Sequence, residues 1–273
     1  MKKTLVAVAA LAASAAFAQS SVTLYGVADA YFGSEKVAGV SQTVVNDGGL
    51  STSRIGVSVK EDLGAGLAAF AVIEGGVSLD TGAGGLNANR KSVVGLSGGF
   101  GSVSLGRQDT PLQDAWANIL DAQGNSGFSA ATAALVGNAG AAGATLFTYA
   151  NSVRYDTPNF DGFTAAVQYG LGENKGPTNS ASRGISMNVA YANGPVAAGL
   201  AFQNDKNGPA NTTAKRTALG GSYDFGPAKL TLGYTRSTAT ATNARRNINV
   251  GVAVPVDAFT FVGQYSQDRK SVV

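Results

Sequence analysis

The sequence predicts an all-β fold, an antiparallel β-barrel that spans a membrane. Three observations lead to this prediction. The chain opens with the pattern of a secretory signal peptide, the segments after it alternate apolar and polar residues with a period of two, and short turns alternate with longer polar connections. The strands that result have about 8 to 11 residues, the length that crosses a bilayer at a tilt.

The signal peptide occupies residues 1–18. Lys2 and Lys3 precede an uncharged run that ends in Ala-Phe-Ala before Gln19. The run is too short for a membrane-spanning helix, and no later segment reaches the roughly 18 apolar residues that such a helix needs. We therefore expect cleavage before Gln19 and a single barrel domain over residues 19–273.

The composition excludes several classes of function. The chain has no cysteine and no histidine, so it lacks disulfides and the side chain most used as a general base and metal ligand. We predict no enzyme activity, no cofactor and no metal site. The formal charge of +3 includes the two signal-peptide lysines, and the remaining cations are scattered, so the sequence does not predict nucleic-acid binding.

Short and long connections divide the chain into predicted hairpins. Six short turns lie at residues 62–66, 98–101, 158–162, 193–195, 225–227 and 255–257. Six longer polar stretches without periodicity lie at residues 34–50, 80–89, 109–150, 172–183, 204–215 and 237–245. The first strand is predicted over residues 22–31 and the thirteenth over about residues 259–267.

The composition of the two strand faces predicts which one meets lipid. In residues 151–156, for example, Val153 and Tyr155 share one face while Ser152, Arg154 and Asp156 share the other. The polar face of most strands consists of Gly, Ala, Ser, Thr, Asn and Gln. A soluble protein would favour Lys, Glu and Asp on a face in bulk water. We therefore expect the apolar face to meet hydrocarbon and the small polar residues to line a wet interior.

Two rows of aromatic residues fit the interfacial girdles of a membrane barrel. One row lies beside the short turns and comprises Phe163, Tyr191, Tyr223, Phe225 and Phe259. The other lies toward the opposite strand ends and comprises Tyr169, Tyr234 and Tyr265. Aromatic residues are also common in ordinary strands, so this pattern supports the barrel with less force than the alternation does.

Six stretches carry a family resemblance, and the match extends in order from residue 20 to about residue 266. They read SSVTLYGVADA, STSRIGV with KEDLGAGLAAFAVIE, SVVGLSGGFGSVSLGRQDTPL, NSVRYDTPNFDGF and YDFGPAKLTLGY. They resemble the Gram-negative general diffusion porins, particularly the betaproteobacterial type. The resemblance implies a 16-stranded barrel of the outer membrane, usually a homotrimer, surrounded by outer-membrane lipid and lipopolysaccharide. It also implies passive diffusion of small hydrophilic solutes and ions through a channel narrowed by an inward-folded third loop.

The resemblance assigns candidate residues to the constriction of the channel. The third long connection, residues 109–150, holds no lysine or arginine. The acidic candidates are Asp109, Asp114 and Asp121 in this connection and Glu74 on the second hairpin; the basic candidates are Arg54, Arg90 and Arg154. Opposed charges across a narrow neck would create a transverse field. The alternative is that these residues form surface ion pairs of little energetic worth.

The sequence departs from the family in two respects. The stretch Thr148-Tyr149-Ala150 lacks the further constriction arginine of the family, and the proline-glutamate motif of the enteric third loop is absent. An anion preference is therefore not predicted. The chain also ends in RKSVV instead of an aromatic residue after about 13 strands, whereas single-chain bacterial barrels have even strand counts. We expect about three missing strands, and the alternative function is an assembly-defective fragment without transport activity.

Further alternatives are an outer-membrane enzyme and a soluble exported lectin or adhesin. The barrel lipases use a histidine-assisted serine, which this chain cannot supply. The lectin would require the apolar faces to form a dry core.

Overall fold

The computed structural model describes residues 20–37, 39–124, 126–129, 131–132, 135, 147–172, 183–207, 212–240 and 243–272. The predicted signal peptide lies outside these residues. The strands are β1 (Ser21–Val27), β2 (Ala30–Val37), β3 (Val40–Asp47), β4 (Arg54–Gly64), β5 (Leu67–Gly76), β6 (Lys91–Gly98), β7 (Gly101–Asp109), β8 (Thr148–Asp156), β9 (Phe163–Leu171), β10 (Arg183–Asn193), β11 (Val196–Asn207), β12 (Thr212–Asp224), β13 (Lys229–Thr240), β14 (Asn243–Val256) and β15 (Phe259–Val272).

Thirteen of these strands form one antiparallel sheet. Its order is β1, β4 and then β5 to β15 in sequence, so that β4 pairs with β1 and β5, and each later strand pairs with its neighbours along the chain. The predicted all-β antiparallel architecture and the count of 13 strands are confirmed. Among the described residues, no helix is both long and apolar enough to cross a membrane.

The sheet has an inner and an outer face. We call inner the face that packs against the connection between β7 and β8, and outer the opposite face. On β11 and β12, Leu200 and Leu219 lie directly opposite each other on the outer face and are 52% and 50% exposed. Gln203 and Arg216, also opposite each other, lie on the inner face and are buried. The predicted alternation is confirmed, with apolar side chains outward, as lipid contact requires.

Aromatic rings pack in pairs beside the short turns. The ring centroids of Phe163 and Tyr191 are 4.6 Å apart, and those of Tyr223 and Phe225 are 4.5 Å apart. Both pairs include residues of the predicted girdle at this end of the sheet. Such tilted contacts add to the stability that burial of the rings provides.

The first strand is shorter than predicted, and residues 34–50 are more regular than predicted. The chain leaves the main sheet at Val27, and residues from Ala30 onward form the hairpin β2–β3. Asp29 fixes this change of direction, because its Oδ2 accepts hydrogen bonds from the backbone N–H groups of Leu50 at 2.9 Å and Ser51 at 2.7 Å. The prediction of one strand over residues 22–31 was therefore wrong.

The hairpin β2–β3 reaches the connection between β7 and β8. The ring of Tyr31 packs edge-on against Phe128, with centroids 5.1 Å apart. Gly49 lies beneath both rings, and a Cβ there would come within 2.6 Å of the Phe128 ring. Two segments far apart in the sequence are therefore joined by a close aromatic contact.

Two other stretches predicted to lack regular structure are largely strand. β11 and β12 extend over most of residues 204–215, and β13 and β14 extend over most of residues 237–245. Both stretches are polar on both faces, so the alternation of hydropathy is lost although the backbone pairing continues. The prediction that these stretches are connections without regular structure was therefore wrong for most of their residues, because the strands continue beyond the apolar band.

Candidate functional site

The connection between β7 and β8 starts with a short helix, α1 (Pro111–Ala115), followed by a π-helical turn (Trp116–Leu120). Thr110 caps the helix, because its Oγ1 accepts a hydrogen bond from the backbone N–H of Gln113 at 3.2 Å. Pro111 occupies the first turn, where its lack of an N–H costs nothing. The sequence T-P therefore starts this helix where β7 ends.

Apolar side chains of this connection pack on the inner face of the sheet. Leu112, Trp116 and Leu120 are completely buried, and they form one cluster with Ala201 and Ala218 of β11 and β12. The alanines are small enough for the connection to approach the sheet closely. Each buried large side chain stabilises this arrangement by about 2 kcal/mol.

Amide side chains of the wall bind backbone carbonyls of the connection. Asn188 of β10 donates through Nδ2 to the carbonyl oxygen of Pro111 at 2.7 Å, and Asn249 of β14 donates through Nδ2 to that of Leu120 at 3.1 Å. The bond to Leu120 satisfies a carbonyl at the C-terminal end of the π-helical turn, where intrahelical partners are lacking. The two bonds fix the connection across several strands.

Asp121 holds the end of the π-helical turn. Its Oδ2 accepts hydrogen bonds from the hydroxyls of Ser129 at 2.7 Å and Thr132 at 2.8 Å, and its Oδ1 accepts one from Nε2 of Gln264 on β15 at 2.7 Å. The side chain is only 5% exposed. This candidate therefore lies within the connection and against the wall.

Arg154 joins the wall to the connection. Its Nη2 lies 2.6 Å from Oδ2 of Asp114 on α1 and 2.6 Å from Oδ1 of Asp156 on its own strand. Its Nη1 donates to the backbone carbonyl of Asp109 at 2.9 Å. Three of the predicted residues, Arg154, Asp114 and Asp109, are thus brought together at the inner face.

The other three candidates form a second cluster on β4, β5 and the start of β6. Oε1 of Glu74 accepts a hydrogen bond from Nε of Arg90 at 2.8 Å, and Oε2 lies 3.7 Å from Nε of Arg54. The hydroxyl of Tyr25 also donates to Oε2 of Glu74 at 2.9 Å. Glu74 therefore lies between two arginines and is not placed opposite them.

Three cavities that share lining residues lie beside the two clusters. A cavity of about 280 Å³ is lined by Arg54, Glu74, Arg90 and Asp109. The next, of about 290 Å³, shares Asp109 with it and contains Arg154. A third, of about 620 Å³, continues past Arg154 along the inner face. We call the three cavities together the charged passage.

Three further charged residues line the charged passage and were not among the candidates: Lys91, Asp156 and Lys229. Lys91 lies directly opposite Glu74 in the register of β5 and β6, so the two share a face. The alternation of the sequence already placed Asp156 on the face of Arg154. The same rule, applied to Val94 and Leu96 as outer residues, indicates an inner Lys91.

A buried ion pair lies on the inner face of β11 and β12. Nη1 of Arg216 lies 2.6 Å from Oδ2 of Asp205, and both side chains are almost completely buried. Gln203 donates to the same oxygen at 2.9 Å, and the hydroxyl of Tyr149 donates to Oδ1. Removing one partner of such a pair would leave a buried charge, which is strongly destabilising.

The fold and the charged passage define a class: a membrane barrel wall with an apolar exterior and a charged interior. Comparison with known proteins gives the family, since the Gram-negative porin model matches residues 4–272. The chain is 42% identical over 241 residues to outer membrane porin protein 32 of Delftia acidovorans, covering 84% of this chain and 68% of that protein. It is 32% identical over 275 residues to an outer membrane porin protein of Bordetella pertussis, covering 87% of this chain and 70% of that protein.

A solved structure agrees with this match. The anion-selective porin from Comamonas acidovorans superposes with a TM-score of 0.80 and 31% identity, covering 92% of this chain and 80% of that one. The chain belongs to the Gram-negative porin family. It is a non-enzymatic porin of the outer membrane, as the sequence predicted, and its relatives are of the betaproteobacterial type.

Proposed function

We propose that the chain forms a water-filled channel for passive diffusion of small hydrophilic solutes and ions, constricted by the connection between β7 and β8. The observation that carries this proposal is the position of α1, which packs on the inner face and is tied to β8 through the pair Arg154 and Asp114. A segment fixed in this position narrows the interior and leaves the charged passage beside it.

The predicted site residues take two roles in this proposal. Arg54, Arg90, Glu74, Asp109, Arg154 and Asp114 present charge to the passage, where low-dielectric walls focus the field on a passing solute. Asp121 has its carboxylate enclosed by hydrogen bonds, so it positions the constriction without lining it. Most of these charges are paired with a neighbouring opposite charge. The electric field is therefore local to each pair and does not run from one side of the charged passage to the other.

The charges of the passage support a mild preference for anions. Its described lining contains five cations, Arg54, Arg90, Lys91, Arg154 and Lys229, and four anions, Glu74, Asp109, Asp114 and Asp156. One similar structure is described as an anion-selective porin. An excess of one positive charge attracts anions weakly, and salt in the lumen screens the attraction.

The channel is tested with purified, folded protein in planar lipid bilayers. Stepwise conductance increments would support the proposal, and the reversal potential in a KCl gradient would report the ratio of chloride to potassium permeability. Inserted, protease-resistant protein that gives no conductance would refute the channel. A ratio below one would refute the anion preference and leave the channel standing.

Two further proposals concern the surroundings. The family resemblance supports a homotrimer in contact with outer-membrane lipid and lipopolysaccharide, and one solved structure of similar fold is described as a trimer form. Chemical cross-linking of the protein in native membranes tests the homotrimer. A cross-linked sample that contains only the single chain would refute the homotrimer.

The second candidate function is a fragment that does not transport. Within the described part of the chain, no ladder joins β1 to β15, so each keeps one edge free of backbone pairing. Unpaired backbone groups are costly in lipid. Faster migration of unheated than of heated protein on a gel, together with protease resistance, would argue against this candidate, whereas their absence would support it.

A further inference from the structure

The third cavity of the charged passage, with a volume of about 620 Å³, has an apolar floor. It is lined by residues of α1 and the π-helical turn and by residues of the wall from β8 to β13. We call four of the wall residues the alanine floor: Ala166 of β9, Ala190 and Ala192 of β10, and Ala197 of β11. Ile119 of the π-helical turn adds a further apolar side chain to the lining. The interior of a channel barrel is ordinarily polar, so this apolar stretch needs an explanation.

The register shows that the whole alanine floor lies on the inner face. Asn188 marks that face of β10, because its side chain donates a hydrogen bond to the backbone of α1. Ala190 and Ala192 follow at alternate positions and therefore share its face. Ala166 lies directly opposite Asn188, and Ala197 lies directly opposite Ala192. Because residues opposite each other in an antiparallel pair point to the same face, all four methyl groups face the cavity.

One end of the cavity has an excess of negative charge. Asp114 and Asp156 share the guanidinium of Arg154, whose Nη2 lies 2.6 Å from an oxygen of each. Both carboxylate side chains are 34% exposed, whereas that of Arg154 is 13% exposed. Lys91 and Asp109 line the adjoining cavity, and their charges balance. A cation in the larger cavity therefore meets two accessible carboxylates and one uncompensated negative charge.

The other end of the cavity has a positive charge. Lys229 of β13 lines it and is exposed. The lysine forms no ion pair within the part of the chain that the structure describes. Asp224 lies directly opposite it on β12, but this aspartate neither pairs with the lysine nor lines the cavity. An anion in the cavity can therefore bind the ammonium group of Lys229.

The two charged ends are widely separated. β8 and β13 are five strand intervals apart, which is about 24 Å along the curved wall. The strands β9, β10 and β11, which carry the alanine floor, lie between them. A solute with one charge can satisfy only one end. An α-amino acid cannot reach both ends, because its two charged groups are attached to the same carbon.

We propose that this cavity binds amphipathic zwitterions whose ammonium and carboxylate groups stand at opposite ends of an apolar segment, as in linear ω-amino acids. The ammonium group contacts Asp114 and Asp156, and the carboxylate contacts Lys229. These charged contacts replace hydrogen bonds to water, while the apolar segment displaces water from the alanine floor. A hydrophobic anion is the poorer occupant, because its apolar end would take water from the two carboxylates without replacing it. The inference rests on the proposed function and adds a class of solute that the channel retains.

The test compares matched ligands by isothermal titration calorimetry of folded protein in detergent. The ligands are ω-aminooctanoate, its N-acetylated form, which is an anion, its carboxamide, which is a cation, and the shorter ω-aminobutanoate. The zwitterion should bind about fivefold more tightly than either capped form. It should bind about tenfold more tightly than ω-aminobutanoate, because the longer chain covers the alanine floor. A capped form that binds as tightly as the zwitterion would overturn the proposal.

Variants of the exposed Lys229 test its role with little risk to folding. Lys229→Gln should bind ω-aminooctanoate about fivefold more weakly and the cationic carboxamide as the wild type does. Lys229→Glu should prefer the carboxamide to the zwitterion, a reversal that a merely structural lysine would not produce. The matched control is Lys60→Gln, which removes an exposed lysine near the short-turn end of β4, outside the cavity. Equal affinity of Lys229→Gln and Lys60→Gln for the zwitterion would refute the site.

The alanine floor is tested by making it polar at nearly constant volume. The double variant Ala192→Ser, Ala197→Ser should lose most of the preference for ω-aminooctanoate over ω-aminobutanoate. An unchanged preference would show that the apolar segment lies elsewhere, and would contradict the proposal.

Planar-bilayer recordings of the same preparations separate this proposal from the channel. ω-Aminooctanoate should interrupt the KCl current briefly, and the interruptions should be shorter in Lys229→Gln. Protein that binds the zwitterion in calorimetry but does not conduct would refute the channel alone. Protein that conducts but does not distinguish the zwitterion from its capped forms would refute the zwitterion site alone.

Discussion

Nη2 of Arg154 on β8 lies 2.6 Å from Oδ2 of Asp114 on α1, so one ion pair joins the barrel wall to the segment folded inside it. The Arg154 side chain is 13% exposed. Arg154 therefore both holds α1 against β8 and places a positive charge beside the charged passage.

Replacing Arg154 by Gln should loosen the proposed constriction, the connection between β7 and β8. Asp114 and Asp156 would lose their shared partner, at a cost of about 2 kcal/mol after allowance for water in the passage. We expect noisier single-channel currents and a lower ratio of chloride to potassium permeability. Arg245→Gln, which removes an arginine from the pair with Asp268 on β14 and β15, is the control. Equal current noise in both variants would contradict this role of Arg154.

Replacing Glu74 by Gln should increase the anion preference. The change frees the charges of Arg54 and Arg90, which Glu74 now neutralises at 3.7 and 2.8 Å. The permeability ratio of chloride to potassium should rise about threefold at low salt and less at high salt. Asp257→Asn, in a short turn, removes the same charge far from the passage. A similar rise in this control would assign the effect to net charge.

Replacing Asp121 by Ala should release the end of the proposed constriction without changing the charges of the passage. Ser129, Thr132 and Gln264 would each lose an acceptor. Limited proteolysis followed by mass spectrometry should detect faster cleavage within residues 121–135. Conductance should become more variable while the permeability ratio stays near the wild-type value. Unchanged cleavage would show that the packing of Trp116 and Leu120 alone fixes this segment.

Trp116 is the single tryptophan of the chain, and it is completely buried, so its fluorescence should report whether the connection between β7 and β8 is packed on the inner face. Ala218→Leu adds volume beneath it on the inner face and should displace the segment, at a cost of about 1 to 3 kcal/mol. Emission should shift to longer wavelength, and iodide quenching should increase. Ala198→Leu, on the exposed outer face of β11, should change neither. A blue-shifted, protected tryptophan in Ala218→Leu would contradict the packing.

Much of the wall could be predicted from the sequence because one face of each strand is apolar. Outer residues such as Leu200 on β11 and Leu219 on β12 occupy alternate positions of their own strands. This period can be recognised in the sequence without knowing which strands are neighbours. The same rule assigned Arg154 to the inner face. The hairpin β2–β3 was not predicted, because its direction depends on Asp29. The hydrogen bonds that Asp29 accepts from Leu50 and Ser51 do not affect the hydropathy pattern.

The grouping of charges depended on contacts between distant segments and could not be read from alternation. Glu74 and Arg90 share one hydrogen bond across 16 positions, and Asp121 meets Gln264 across 143 positions. Alternation states which face a residue occupies but not which loop covers it. The sequence therefore predicted one set of lumen charges. In the structure, Arg154 and Asp114 form an ion pair, Glu74 lies between Arg54 and Arg90, and Asp121 is buried and hydrogen-bonded.

The contact between Tyr31 and Phe128 has a consequence for the mobility of the connection between β7 and β8. The hairpin β2–β3 stands at the loop end of the sheet, whereas Phe128 belongs to the segment folded inside. Any displacement of this hairpin must also separate the two rings. Movements of the hairpin and of the connection between β7 and β8 are thereby energetically coupled through this aromatic contact.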